Sequence, residues 1–409
     1  MVRTVSTNRH VAVVDPALGF RGVHHLSIAK LLAQSGQRAS VSVEFWGSRR
    51  PGGGAFAPSQ HLPPGFHAAF STDSYELIKQ EFSVSRHWNW VQGLAREYAK
   101  VFAEIAASTD PSRVQVLHHT LSCEHAAALS LGIQMARERG AVMRHECLLM
   151  YAPGVDPEGV TYDGARRLRF FQTFWPLHQL EEVRLYASCD EYAESYRRLL
   201  DLPAPLPVHP CLVLDVEAPV VADRHNGPSQ NFSGGRRAIL YLGIVKEEKG
   251  FFRVPDVLSR SLRRARRDDV FLVQFVRTAK VGKRASKAIA DIERAAARDE
   301  RVLVIDGFLD DADLVHELRR SGSIRLDYDA AAYSHKTSGL LWMAVWYGLQ
   351  IAVPSGTWLE REACRLGADV RIQGRGAWTR HMTRHRSPGS QAYREALFQP
   401  FLAWLLNRE

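Results

Sequence analysis

Short apolar runs alternate with helical periodicity along most of the 409 residues, and this alternation limits the fold more than any other feature. In the first half, strand-like runs lie at 11–14, 38–45, 114–118, 141–145 and 183–187. In the second half they lie at 238–243, 270–276, 302–305, 324–327 and 350–353. Strands that alternate with helices form parallel sheets joined by right-handed crossovers. The sequence therefore predicts an α/β protein.

The length and composition predict two cored domains. Hydrophobic residues make up 45% of the chain and charged residues 24%, which is typical of a globular protein. Gly, Pro, Asn and Ser mark residues 215–235 as the linker. We expect an N-terminal domain over 1–214, a second domain over 236–388 and a C-terminal helix within 389–409.

Two further segments of the first half carry local structure signals. A helix is expected over 23–34, with Gly36 as its stop, and residues 46–64 form a loop rich in Gly and Pro. Residues 337–359 are uncharged, but Gly348, Gln350 and Pro354 favour a helix, a turn and a strand over a membrane span.

Cysteine usage and the N-terminus indicate a cytoplasmic protein. The five cysteines are widely spaced and form no C-x-x-C pair, which argues against a disulfide framework and a zinc site. The first residues lack the apolar stretch of a signal peptide.

Positive charge is concentrated in the second half. Residues 1–205 carry 21 basic and 20 acidic residues, whereas residues 236–409 carry 31 and 21, a net charge of +10. Five arginines cluster in one predicted helix: Arg260, Arg263, Arg264, Arg266 and Arg267. They form either a solvated face or a surface for an anionic membrane or a polyanionic acceptor. No nucleic-acid motif accompanies them, so nucleic acid is not an expected partner.

A polar turn over 333–339 opens a predicted helix in this basic half. Lys336, Thr337 and Ser338 precede Gly339 and an apolar run, which places a cation beside the free N–H groups and positive dipole end of a helix. Such a site suits phosphate. The alternative is that Thr337 or Ser338 simply caps the helix.

A second cationic turn lies some ninety residues earlier. An apolar strand runs into Gly243, and Lys246 and Lys249-Gly250 follow before the next helix. A strand, a glycine turn, a lysine and a helix again place a cation where phosphate binds. Two such turns in one α/β half predict a site for two phosphates.

Gly243 followed six residues later by Lys249-Gly250, then the Lys-Thr-Ser-Gly turn and the Pro-Ser-Gly-Thr-Trp358 run, resembles a known family. The resemblance is to the C-terminal domain of nucleotide-sugar glycosyltransferases of the two-Rossmann (GT-B) fold, in a bacterial branch. It is clear over 236–365 and looser over 8–215. It implies two Rossmann-like domains that face a central cleft. It also implies a glycosyltransferase, by expectation a hexosyltransferase, that acts on a glycan, lipid-linked or protein acceptor. The donor site it implies comprises Gly243, Lys246, Lys249, Gly250, Tyr333, His335, Lys336, Thr337, Ser338 and Gly339.

The sequence departs from the large retaining branch of that family at three places. Ile244 stands where the family has an arginine, and Lys246 is the expected substitute. His335 and Met343 stand where it has two glutamates eight residues apart, the second of which holds the donor ribose. A non-catalytic binding protein on the same scaffold, holding a polyanion on its basic face, is therefore the alternative function.

Histidines near predicted strand ends are the candidates for a general base. His119 follows the run at 114–118, and His145 ends the run at 141–145 with Glu146 beside it. Ligands of open α/β sheets bind at the carboxyl ends of strands, and histidine titrates near neutrality. In the resembled fold, Gly19, Arg21 and Gly22 form the loop on the acceptor side. Each histidine has the alternative of a buried structural role.

We expect neither a metal nor a cofactor. No residue spacing matches a metal site, and Asp310-Asp311-Ala-Asp313 is better explained as a helix cap. Aromatic residues are dense at 82–90 and 170–175 and form either packed core or a surface for sugars or lipid.

Overall fold

Two separate β-sheets organise the chain in the computed structural model, which describes residues 9–19, 24–49, 62–72, 83–209, 237–277, 282–309, 311–373, 378–381 and 391–406. The chain divides into two compact units. The first contains Met1–Leu212 and Phe398–Glu409, and the second contains Val213–Leu397. The expected linker at 215–235 lies outside the described residues.

The first unit is a parallel sheet with helical crossovers. Its strands are β1 (His10–Val14), β2 (Ser42–Ser48), β3 (Phe66–Phe70), β4 (Val114–His118), β5 (Arg144–Leu149) and β6 (Val183–Ala187). Its helices are α1 (His24–Ala39), α2 (Val84–Ser108), α3 (Cys123–Arg137), α4 (Gly164–His178) and α5 (Asp190–Leu200). The strand order is β3-β2-β1-β4-β5-β6, and every described pairing is parallel.

The second unit repeats this plan. Its strands are β7 (Arg237–Tyr241), β8 (Val270–Phe275), β9 (Val302–Asp306), β10 (Ser321–Arg325), β11 (Gln350–Pro354), β12 (Val370–Gln373) and β13 (Trp378–His381). Its helices are α6 (Val254–Arg264), α7 (Lys283–Arg298), α8 (Asp311–Arg319), α9 (Gly339–Trp346) and α10 (Trp358–Arg365). The order is β13-β12-β11-β10-β7-β8-β9, with only the β12–β13 pairing antiparallel among those described. The predicted α/β class is confirmed.

Several strands are buried along their whole length, as is usual where helices cover both faces of a parallel sheet. All residues of β1, β4 and β8 are buried. In the second unit, Phe251, Phe275 and Ile292 form the centre of an apolar cluster between the sheet and α6 and α7.

The last helix, α11 (Gln391–Leu406), ends against the first unit. Arg9 donates from Nη1 to the carbonyl oxygens of Trp404 and Leu405, at 3.1 and 3.0 Å. The His209 ring lies 4.5 Å from the Trp404 ring. Arg9 thus satisfies two carbonyls that a helix end leaves without an intrahelical partner.

The expected end of the first helix was wrong. Helix α1 continues past Gly36 to Ala39, and β2 begins at Ser42 rather than at 38. A Cβ atom at Gly36 would lie 2.5 Å from Cγ2 of Val43. Gly36 therefore lets the helix pack closely on β2 and does not stop it.

Strand β5 lies three residues later than expected. It covers Arg144–Leu149 instead of 141–145, so His145 and Glu146 lie near its amino end. Strands β3, β12 and β13 were not predicted, and β2 extends into the expected loop at 46–64.

The uncharged segment 337–359 forms α9, a turn at Gly348 (φ 68°) and β11, as expected. Among the described residues, no helix is long and apolar enough to cross a membrane. The two aromatic segments divide between core and surface. Phe170 and Phe174 are buried, whereas Trp88, Phe171 and Trp175 are exposed. Phe82 and Asp310 lie outside the described residues.

Candidate functional site

The two cationic turns meet at the carboxyl edge of the second sheet. Lys336 donates from Nζ to Oε1 of Glu248 at 2.9 Å, across 88 positions of sequence. The Nζ atom of Lys246 lies 3.9 Å from the same oxygen. The Asp329 N–H donates to the Glu248 carbonyl at 2.8 Å. These contacts join the turn after β7 to the segment between β10 and α9.

Gly250 allows the first turn to approach the end of β10. Its φ is 76°, and a Cβ atom there would lie 1.9 Å from the carbonyl oxygen of Asp327. No larger residue fits at that distance. Arg253 donates to the same carbonyl, and Arg325 pairs with the Asp327 carboxylate at 2.8 and 2.9 Å. The turn carrying Lys249 is thus fixed to the sheet edge.

Gln274 holds the backbone of the Gly243 turn. The Gly243 N–H donates to Oε1 of Gln274 at 2.8 Å, and Nε2 of Gln274 donates to the Gly307 carbonyl. Both glycines have positive φ angles, 122° and 147°. Gln274 is buried within β8, and our sequence analysis missed it. A lone glutamine in an otherwise apolar strand was the available indication.

Lys249 is the least hydrated cation of the site. Its Nζ lies 5.9 Å from the centre of the Tyr328 ring. A Cβ atom added to Gly243 would lie 3.6 Å from Nζ, so the ammonium folds back against the start of its own turn. Burial lowers the Lys249 pKa, and repulsion from Lys246 and Lys336 lowers it further. An anion placed here would relieve that repulsion.

The start of α9 offers backbone N–H groups. Ser338 occupies the N-cap position, but its side chain makes no capping hydrogen bond. The Ser338 carbonyl accepts from the N–H of Leu341 at 3.0 Å, and Gly339 is exposed. The Ser338 side chain therefore does not cap α9, and it leaves the first N–H groups of the helix and the positive end of its dipole without a side-chain acceptor from this residue.

Two tyrosines support the Lys336 turn. The rings of Tyr328 and Tyr333 lie 4.4 Å apart, and Nζ of Lys336 lies 5.0 Å from the Tyr333 ring. Burial raises the pKa of Tyr328 to about 12, so its hydroxyl stays protonated at neutral pH. The Tyr333 carbonyl accepts from the Trp358 N–H at 2.9 Å, which ties the turn to α10.

The remaining predicted donor residues lie in the same turn. His335, Thr337 and Ser338 are half-buried between Tyr333 and α9, and Arg361 donates to the Ser334 carbonyl at 2.5 Å. Met343 lies half-buried on α9, where the resembled family has its second glutamate.

His145 is a core residue of the first unit, which corrects its expected position at a strand end. Nδ1 of His145 lies 3.1 Å from Nε2 of His118, and its ring lies 4.8 Å from that of Phe102. Burial lowers the pKa of His118 to about 3. Burial, followed by the proximity of His118, also places the His145 pKa well below its ordinary value. Both rings are neutral near pH 7, so the pair lies in the core without burying a charge.

Glu146 is likewise structural in its surroundings. It is fully buried near the amino end of β5, and its Oε1 lies 2.5 Å from Nε of Arg144. This ion pair compensates a carboxylate that has lost its hydration. Because it lies near the amino end of β5, Glu146 is not at the carboxyl edge of the sheet, where a substrate would bind.

His119 and Asp15 do lie at that edge. His119 directly follows β4 and is buried, and Asp15 directly follows β1 and accepts from the Ala17 N–H at 2.9 Å. Gly19 belongs to the same loop and has a φ of 115°. The other acceptor-side residues, Arg21 and Gly22, lie outside the described residues. Within the described part of the chain, no group of three His, Cys, Asp or Glu side chains could hold a metal ion.

No protein-family model matches the chain, and a search of curated proteins finds no match. Solved structures do match along nearly its whole length. An α,α-trehalose 6-phosphate synthase from Burkholderia multivorans is 11% identical, with a TM-score of 0.53, over 98% of this chain and 95% of that one.

Two further matches extend this comparison. A putative UDP-N-acetylglucosamine 2-epimerase from Listeria monocytogenes is 13% identical, with a TM-score of 0.51, over 98% of this chain and 89% of that one. An E. coli structure described as trehalose-6-phosphate bound with UDP-2-fluoro glucose is 11% identical, with a TM-score of 0.50, over 98% and 96%. At these identities the likeness concerns the fold, and it confirms the predicted α/β architecture of two Rossmann-like domains, the GT-B fold.

Proposed function

We propose that the protein is a glycosyltransferase that moves a sugar from a nucleotide-diphosphate donor to a glycan, lipid-linked or protein acceptor. One observation carries the proposal: Nζ of Lys336 and Nζ of Lys246 lie 2.9 and 3.9 Å from one carboxylate oxygen of Glu248, in the turn before α6, and both lysines are near enough to Lys249 to lower its pKa. Three cations and a helix start at a sheet edge suit a diphosphate leaving group. Two of the matched structures are named for a UDP-sugar, UDP-N-acetylglucosamine in one and UDP-2-fluoro glucose in the other, which supports a donor of this class.

The chemistry follows from these residues. As the bond from sugar to diphosphate breaks, negative charge grows on the leaving phosphate oxygens. Lys249 and Lys336 stabilise that charge from fixed positions, which lowers the barrier because the charge develops in the transition state. A base at the acceptor, for which we propose His119, takes the proton of the attacking hydroxyl.

The alternative, a non-catalytic protein that holds a polyanion on α6, has less support. Arg260 donates to the Asp256 carbonyl and Arg263 donates to Ser259, both within α6. These contacts fit a solvated helix face. The lysine cluster, by contrast, is built from two segments far apart in sequence, which a merely solvated face does not require.

Nucleoside diphosphates test the proposal. We expect UDP, GDP or ADP to raise the melting temperature, since a ligand at 100 times its Kd adds about 2.7 kcal/mol to the free energy of unfolding. The matching nucleotide sugar should then be hydrolysed slowly or transferred to an added acceptor. Binding without any turnover across a donor and acceptor panel would favour a non-catalytic protein, and no binding at all would contradict the assignment of the lysine cluster to a nucleoside diphosphate.

The same assay tests the expectation that no metal is needed. Lysines and a helix start can neutralise a leaving diphosphate, a role that a divalent ion has in other folds. We expect transfer to continue in EDTA at an undiminished rate. Loss of transfer in EDTA with recovery in Mg²⁺ or Mn²⁺ would show the expectation to be wrong.

We also propose that the protein binds peripherally to anionic membranes. Leu168, Phe171 and Trp175 form an exposed apolar stripe on α4, with exposed fractions of 58%, 38% and 36%. Helical spacing places Arg167 and Arg169 on either side of this stripe, although Arg169 also pairs with Glu124. We expect the protein to float with vesicles that contain anionic lipid and Trp175→Ser to weaken this binding, with the exposed Trp88→Ser as the matched control. Equal flotation of both variants would remove α4 from the proposal.

A further inference from the structure

Glu248 places a carboxylate among the lysines that we propose bind the donor diphosphate. Its Oε1 lies 2.9 Å from Nζ of Lys336 and 3.9 Å from Nζ of Lys246. It is the group that opposes the fall of the Lys249 pKa. A carboxylate oxygen at 2.9 Å from an ammonium has the distance of a charge-assisted hydrogen bond, the same bond that a phosphate oxygen would form there.

The neighbouring residue shows that this placement is specific. Glu247 is also half of an ion pair, but its partner is Arg284 on α7, and both of their side chains are about two-thirds exposed, at 66% and 70%. Glu248 is less exposed, at 36%, and its backbone carbonyl is bonded to Asp329. Two adjacent glutamates thus point to different cations, and only Glu248 contacts lysines of the proposed donor site.

We infer that Glu248 is an internal competitor for the diphosphate subsite. This inference rests on the proposed function. The carboxylate holds Lys336 and limits the repulsion among the three lysines. When a nucleoside diphosphate binds, its oxygens must take Lys336 from Glu248 or share it, so the carboxylate weakens diphosphate binding. When the product leaves, the same carboxylate replaces it on Lys336, which speeds release.

The test compares Glu248→Gln with Glu247→Gln, two neutralising changes at adjacent positions. We expect Glu248→Gln to bind UDP, GDP or ADP about two- to five-fold more tightly than the wild type, the range that partly exposed ion pairs support. The dissociation rate should fall by a similar factor. Glu247→Gln should bind like the wild type. The corresponding nucleoside without phosphates should show no difference among the three proteins, because the effect acts on phosphate.

Melting temperatures without ligand establish that each variant is folded, and Glu248→Ala replaces Glu248→Gln if the latter is not. Equal or weaker diphosphate binding in the Glu248 variant, with the wild type binding, would overturn this inference alone. Equal gains in both variants would also overturn it, because they would reflect net charge rather than contact with Lys336. Absence of diphosphate binding in all three folded proteins would overturn the proposed function itself.

Discussion

Replacement of Lys249 by alanine is expected to weaken nucleoside-diphosphate binding about ten-fold or more. The ammonium lies in a poorly hydrated position against Gly243 and Tyr328, so a bond to phosphate there should contribute roughly 1.5–3 kcal/mol. Lys336→Ala should weaken binding as well. Its effect should be smaller, because Lys336 is half-exposed and already pairs with Glu248.

Titration calorimetry with each nucleoside diphosphate measures these losses. Lys287→Ala is the matched control, since Lys287 is exposed on α7 and the change removes the same charge. Unchanged affinity in both Lys249→Ala and Lys336→Ala would contradict the assignment of the donor site. A loss equal to that of Lys287→Ala would attribute the effect to net charge.

The direction of the Lys249 pKa shift adds a pH dependence. Burial and the neighbouring lysines lower this pKa, so Lys249 loses its proton at a lower pH than an ordinary lysine does. A bound diphosphate favours the charged form and raises the pKa. Affinity should therefore decline as pH rises through the lowered pKa of the free protein, and Lys249→Ala should remove that part of the decline.

The sequence predicted the sheets well because parallel strands are buried on both faces. The runs at 114–118 and 183–187 match β4 and β6 residue for residue, since each is short, apolar and bounded by polar turns. Strands at the sheet margins were missed. Strand β12, for example, alternates buried and exposed residues over only four positions, which is too short a pattern to distinguish from a loop.

The two cationic turns were recognisable in the sequence because each has a local pattern: a strand, a glycine and a lysine before α6, and a lysine, two hydroxyl residues and a glycine before α9. The long-range contacts that join the two turns could not be predicted. Glu248 contacts Lys336 across 88 positions, and Gln274 bridges the loops after β7 and β9. Contacts between residues so far apart in sequence depend on the order of the strands in the sheet. Strand β7 lies between β10 and β8, and no local sequence pattern predicts that order.

The misplaced histidine has a physical explanation. His145 and Glu146 were expected to end a strand because they are polar residues after a short apolar run. Each instead has a partner that lets it lie inside the sheet layer: His118 at 3.1 Å for His145 and Arg144 at 2.5 Å for Glu146. In the sequence alone, a polar residue that is paired within the core cannot be distinguished from one that marks the end of a strand.

The two histidines are therefore expected to respond differently to replacement. His119 follows the carboxyl end of β4, where a substrate of an open α/β sheet binds, so His119→Ala should depress kcat while the Kd for the donor holds. A general base typically contributes about 10²–10⁴-fold to the rate. His145→Ala should instead leave Nε2 of the buried His118 without its partner, at a cost of about 1–3 kcal/mol in the free energy of unfolding.

Transfer rate, donor affinity and melting temperature, measured together on both variants, separate catalysis from packing. His119→Gln adds a conservative control, because the amide keeps a polar group of similar size but cannot accept and hold a proton near neutral pH. If His119 is the base, His119→Gln should fold as well as the wild type and remain as slow as His119→Ala. Full activity in a normally folded His119→Ala would remove histidine from the mechanism. Asp15 would then be the remaining candidate at this sheet edge, because it follows β1 directly and its carboxylate already accepts a hydrogen bond there.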